Sequence, residues 1–126
     1  MAKTALYLIL GLLACPALAQ APRGELACKS TGTDFVYDCT IRLSRAGKPL
    51  EGVKVTVGAD MPSMPMAHNV RPVSASAIRG EPGVYGFRLN LEMQGEWALK
   101  IGINKPFRDL VIRVLEFGPN QVQPKR

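Results

Sequence analysis

The feature that most constrains the fold of this chain is a series of short segments in which apolar and polar side chains alternate. In residues 35–43 every odd-numbered position is apolar, and the residues between them are mostly polar. A period of two places successive side chains on opposite faces of a β-strand. Comparable segments, some of them weaker, are residues 26–30, 53–57, 73–79, 85–91, 97–103 and 110–117. The sequence therefore predicts about seven strands.

The spacing of these strands indicates the class of fold. Ten prolines and twelve glycines stand among 126 residues, and both residue types break helix interiors. Short strands at regular spacing, without a convincing amphipathic helix, predict one all-β domain, a small antiparallel β-sandwich with Trp97 in its core. The last strand, residues 110–117, is apolar on both faces, which predicts a central or covered position. Residues 118–126 form a polar C-terminal tail without a pattern.

The N-terminal residues have the features of an export signal. Lys3 precedes an apolar run at residues 4–14, which is shorter than the roughly 20 residues that span a bilayer. Small residues at 17–19 then offer a cleavage site, so we expect residues 1–19 to be a signal peptide and the protein to reach the periplasm. The alternative is a lipoprotein in which Cys15, after Leu12-Leu13-Ala14, carries the lipid. Pro16, just before the small residues, favours simple cleavage.

Two cysteines remain once Cys15 is removed or lipidated. An even number of cysteines in an exported protein favours a disulfide. The strands on either side of the turn at residues 31–34 place Cys28 opposite Cys39, within bonding reach. We therefore predict a Cys28–Cys39 disulfide. If the two thiols were instead reduced, they would be candidate copper ligands.

Composition and charge argue against two classes of function. The net charge of +6 comes from scattered basic residues, whereas nucleic-acid binding needs a concentrated patch with aromatic platforms. We expect no nucleic-acid partner and only a mild attraction to anionic membranes. We also expect no enzyme, because there is one histidine and no candidate nucleophile. No paired spacing for acid–base catalysis occurs among the carboxylates Asp38, Asp60, Glu92 and Glu96.

A methionine-rich segment does not fit a plain sandwich. Met61, Met64 and Met66 lie within six residues, and His68 follows. Pro62 and Pro65 predict an extended chain, in which residues 64, 66 and 68 project to one side. Thioether sulfur is a soft, neutral ligand that selects Cu(I), and imidazole adds a nitrogen donor. The segment therefore predicts a Cu(I) site, which Met93 would join if its turn lies at the same end of the sandwich.

A structural interpretation of the same residues stays open. Methionine is a flexible core filler, and a proline-bracketed loop could use it to plug the space between two sheets. His68 could be a surface residue bonded to the backbone. Met93 shares the parity of the apolar positions of residues 85–91, which points it toward the core.

These segments together resemble a known family. Residues 47–55 (GKPLEGVKV), 61–68 (MPSMPMAH), 83–87 (GVYGF) and 93–97 (MQGEW) are similar to the YtkA-like family, and FixH-type proteins have similar patterns. The resemblance covers residues 39–115. It implies an immunoglobulin-like β-sandwich at residues 20–117, an exported or membrane-anchored location and a link to copper handling. The metal-associated positions that it implies are Met61, Met64, Met66, His68 and Met93.

Two features depart from that resemblance. FixH-type proteins keep a membrane anchor, whereas the only apolar segment of this kind here is the predicted signal. The hairpin with Cys28 and Cys39 has no clear place in the family pattern.

The leading functional hypothesis is an exported Cu(I) carrier or buffer, with copper as its ligand. Its partner would be a membrane copper transporter or an oxidase assembly factor. The alternative is an interaction module whose methionine-rich loop docks on a membrane protein complex without binding metal.

Overall fold

A computed structural model describes residue 11, residues 20–64, residue 66 and residues 68–125. Apart from residue 11, the predicted signal peptide lies outside the described residues. In the described part of the chain there are nine strands and no helix, hence none that could cross a membrane. The strands are β1 (Arg23–Ser30), β2 (Val36–Arg45), β3 (Lys48–Pro49), β4 (Lys54–Asp60), β5 (Asn69–Ala77), β6 (Val84–Asn90), β7 (Gly95–Lys105), β8 (Asp109–Phe117) and β9 (Val122–Pro124).

All strand pairs are antiparallel, in the order β1-β2-β6-β5-β4-β7-β8-β9, with the short β3 beside β2. β5 pairs with β4 along most of its length but with β6 only at Ser76 and Ala77, so it links two sheets that otherwise separate. On the opposite side, Arg113 Nε of β8 donates to the Gly24 carbonyl of β1 at 2.8 Å. The sheet therefore curves into a near-barrel, and the predicted all-β sandwich is confirmed.

The alternating apolar residues form one continuous core between the two sheets. Trp97 is fully buried in this core, and its indole Nε1 donates to the Met93 carbonyl at 3.1 Å. The Tyr85 hydroxyl donates to the Leu50 carbonyl at 2.8 Å and accepts from the Val53 amide. Every described strand, the disulfide and the core cluster lie between Arg23 and Pro124.

Two expectations about the C-terminal third need correction. β7 and β9 flank β8 in the sheet, but its outer face is not covered, because Leu110 and Ile112 are 54% and 49% exposed there. The segment that follows contains a strand, since β9 pairs with residues 115–117. A turn in which the Gly118 amide donates to the Gln121 carbonyl at 2.8 Å starts this pairing. Backbone pairing of a short edge strand needs no apolar alternation, so the pattern could not show it.

The predicted disulfide is confirmed. Cys28 and Cys39 are directly opposite in the β1–β2 register, and their sulfurs are bonded. Cys39 points into the core, while Cys28 is half-buried. Both sulfurs are consumed by the bond, so in this state neither is available as a thiolate ligand for a metal.

Replacing both cysteines, Cys28→Ala with Cys39→Ala, is expected to lower the free energy of unfolding by about 2–3 kcal/mol. The bond closes a loop with a sequence separation of 11, and a bridge of that size restricts the unfolded chain by about this amount. Urea unfolding followed by Trp97 fluorescence measures the loss. Equal stability of the double variant and the wild type would contradict this prediction.

Candidate metal centre

Two loops meet at one end of the sandwich. Residues 61–68, here called the Met/His loop, connect β4 to β5, whose facing ends are paired at Asp60 and Asn69. Residues 91–94, here called the 91–94 turn, connect β6 to β7. β4 also pairs with β7, with Asp60 opposite Ala98, so the end of β4 adjoins the start of β7. The register thus brings Met93 to the same end as the Met/His loop, as the metal hypothesis requires.

The Met/His loop folds back on itself and is not extended. The Met64 amide donates to the Met61 carbonyl at 3.0 Å, and the His68 amide donates to the Met64 carbonyl at 3.4 Å. Pro62 occupies the second position of the first turn, where its fixed φ is favourable. The predicted extended conformation, with residues 64, 66 and 68 in line, was therefore wrong. Pro65 and Ala67 lie outside the described residues.

The methionines of this end differ greatly in exposure. Met61 is 4% exposed and belongs to the core cluster, as the structural interpretation expected, whereas Met64 is 37% and Met66 is 93% exposed. Met93 is partly buried and packs against the core. Met61 and Met93 therefore lie at the base of this end, and Met64 and Met66 are accessible from solvent.

His68 is held by a carboxylate from the 91–94 turn. Its Nδ1 lies 2.6 Å from Glu92 Oε2, and the imidazole is about three-quarters buried. A carboxylate accepts hydrogen bonds, so Nδ1 carries a proton, and the neutral form of the ring then has its lone pair on Nε2. Sequence reasoning assigned no role to Glu92. Its position next to Met93, a residue already suspected at this end, was the one signal that could have indicated it.

Gly95, the first residue of β7, follows the 91–94 turn and lies against Met61 of the Met/His loop. Its φ of 129° is a conformation that L side chains rarely adopt. A Cβ placed on it would stand 3.2 Å from Cε of Met61. The start of β7 thus lies against the buried Met61 side chain. This contact and the hydrogen bond from Trp97 to the Met93 carbonyl anchor the Met/His loop and the 91–94 turn to the core.

The other carboxylates considered from the sequence are ion-paired. Asp60 pairs with Lys100, Glu96 with Lys125 and Asp38 with Arg88. The Arg88 guanidinium lowers the pKa of Asp38 below its ordinary value, and Glu96 raises the pKa of Lys125. Within the described ranges, no three His, Cys, Asp or Glu side chains form a metal-binding group. A metal at this end would therefore need thioether ligands beside the one imidazole.

Comparison with known proteins assigns the family. Residues 28–102, well over half of the chain, match the sequence profile described as YtkA-like. The chain belongs to the YtkA-like family. The match in this YtkA-like domain runs from Cys28 in β1 to Gly102 in β7. It therefore includes both disulfide cysteines, the Met/His loop and the 91–94 turn; the end of the sandwich formed by these two loops is here called the Met/His end. No curated protein and no solved structure matches the chain.

Gly95→Ala is expected to lower the free energy of unfolding by about 1–3 kcal/mol, because the backbone would be strained and the new Cβ would press on Met61. Gly32→Ala is the matched control, since Gly32 also has a positive φ but nothing lies within 4 Å of the position that a Cβ would occupy there. Urea unfolding of both variants measures the difference. The prediction fails if the two substitutions cost the same.

Proposed function

We propose that this YtkA-like protein binds Cu(I) at the Met/His end and serves as an exported copper carrier or buffer. The supporting observation is the 2.6 Å contact between Nδ1 of His68 and Glu92. Histidines that bind metals commonly donate their second ring N–H to a carboxylate, which fixes the ring and raises the basicity of the coordinating nitrogen. His68 has this arrangement, and its backbone is hydrogen-bonded to Met61 and Met64 of the same loop.

The donor set favours a soft monovalent ion. Thioethers and a neutral imidazole suit Cu(I) and are poor ligands for Mg²⁺ or Ca²⁺. His68 would supply Nε2, and Met64 and Met66 would supply accessible sulfurs. Met61 and Met93 stay candidates for the base of the site.

The exposure of these donors favours transport over permanent storage. Met64 and Met66 are open to solvent, so a partner's ligands can approach the ion and replace them one at a time. A membrane copper transporter or an oxidase assembly factor is the partner class that we propose. The disulfide agrees with an oxidising compartment such as the periplasm, where thioethers remain available as ligands while thiols are oxidised.

One observation favours the alternative function. Met66 is 93% exposed, and an exposed flexible methionine is a typical contact residue of adaptable protein interfaces. In that case the Met/His loop would dock on a membrane protein complex without a metal.

Anaerobic titration of the protein against a chromophoric Cu(I) chelator tests the proposal. The wild type is expected to compete for one equivalent of Cu(I). The variant with Met64→Leu, Met66→Leu and His68→Ala is expected to lose this competition, because the accessible donors are removed while the buried Met61 is kept. Absence of competition by the wild type, or unchanged affinity in the triple variant, would favour the interaction module.

A second pair of variants tests the contribution of Glu92. Glu92→Ala is expected to weaken Cu(I) binding roughly 10- to 100-fold, the usual effect of losing the partner of a coordinating histidine. Glu96→Ala is the control, because it removes the same charge from a neighbouring residue that pairs with Lys125 instead. Equal losses in the two variants would show that the effect is only electrostatic.

A further inference from the structure

The charges of this protein are separated between the two ends of the sandwich. The described residues include 14 basic and 10 acidic side chains, a net charge of +4. Eight of the basic and four of the acidic residues lie at the end opposite to the Met/His end, where they give a net charge of +4. The other six basic and six acidic residues cancel. All of the net charge of the described residues is therefore at one end, which we call the basic end.

The topology gathers the members of the basic end from distant parts of the sequence. β1 begins here and pairs with the last residues of β2, while β4 begins opposite the last residue of β7. The loops from β5 to β6 and from β7 to β8 lie at the same end. The basic residues are Arg23, Arg42, Arg45, Lys48, Lys54, Arg79, Lys105 and Arg108, and the acidic ones are Glu25, Glu51, Glu81 and Asp109.

Most of these cations are not neutralised by the protein. Arg45 is engaged, with its guanidinium 3.8 Å from Asp109 and stacked over the Phe107 ring at 4.0 Å. The other seven are exposed, and within the described chain none of them has a carboxylate within 4.0 Å. In contrast, Arg88, Lys100 and Lys125 elsewhere on the surface are ion-paired. The basic end thus presents free positive charge to an external partner.

An apolar side chain stands beside this charge. Leu110, 54% exposed, follows Arg108 and Asp109 at the start of β8. Exposed cations next to an exposed leucine suit the boundary between lipid headgroups and acyl chains. Anionic lipids attract basic residues through the surface potential of the membrane.

We propose that the basic end docks on an anionic lipid bilayer and holds the Met/His end away from the membrane. The two ends are separated by β7, whose 11 residues extend over roughly 30 Å. The proposal rests on the charge distribution and does not depend on metal binding.

Vesicle co-sedimentation of the mature chain expected after signal cleavage, residues 20–126, which contains every described strand and the core, tests this proposal. The vesicles contain phosphatidylcholine either alone or mixed with phosphatidylglycerol. One variant carries Lys54→Gln, Lys105→Gln and Arg108→Gln at the basic end. The matched variant carries Lys29→Gln, Arg71→Gln and Arg88→Gln, which are also exposed, lie outside the basic end and change the net charge equally. Circular dichroism verifies that both variants are folded.

The wild type is expected to bind the anionic vesicles and not the zwitterionic ones, with binding that weakens as salt is added. The basic-end variant is expected to lose on the order of 100-fold in partition coefficient, or roughly fivefold for each cation. The matched variant is expected to lose far less. No preference of the wild type for anionic vesicles, or equal losses in the two variants, would overturn the proposal. If a triple variant does not fold, Lys54→Gln and Lys29→Gln alone provide the same comparison.

Discussion

The geometry of the Met/His end depends on Met61, which is held by both its side chain and its backbone. Its side chain is buried in the core, and its amide donates to the His68 carbonyl at 3.3 Å, which closes the loop at its base. The loop therefore starts and ends at the sheet, and the six residues between must turn over a short distance. This constraint places His68 next to the 91–94 turn and leaves Met64 and Met66 in solvent. The buried Met61 thus acts together with the Asp60–Asn69 pair to hold the base of the loop.

The sulfur atoms of this protein have separate roles that follow from their chemistry. The two cysteine sulfurs form a disulfide between β1 and β2, which stabilises a domain with a small core. Thioethers cannot form such bonds, so the methionines keep their lone pairs. Met61 and Met93 contribute mainly to packing, as their burial shows, while Met64 and Met66 are free to contact an ion or a partner. In our proposals the metal chemistry and the membrane contact lie at opposite ends of one rigid sandwich.

The sequence predicted the features that depend on residues close together in the chain. The alternation around Tyr37 and Trp97 identified the main strands, and the turn at residues 31–34 was enough to pair Cys28 with Cys39. β9 was missed because its pairing is made by the backbone, and the outer face of β8 was misjudged because Leu110 and Ile112 are apolar but exposed. The extended loop was wrong because Pro62 initiates a turn there. The contact between His68 and Glu92 links residues 24 positions apart. It follows from the β4–β7 register, which alternation alone does not reveal.

X-ray absorption at the copper edge of the Cu(I)-loaded protein tests the central claim most directly, because it reports which atoms bind the ion. The account predicts scattering from both thioether sulfur and one imidazole nitrogen, with the imidazole component absent in His68→Ala. A wild-type spectrum with sulfur ligands alone, or an imidazole component that persists in His68→Ala, would contradict it.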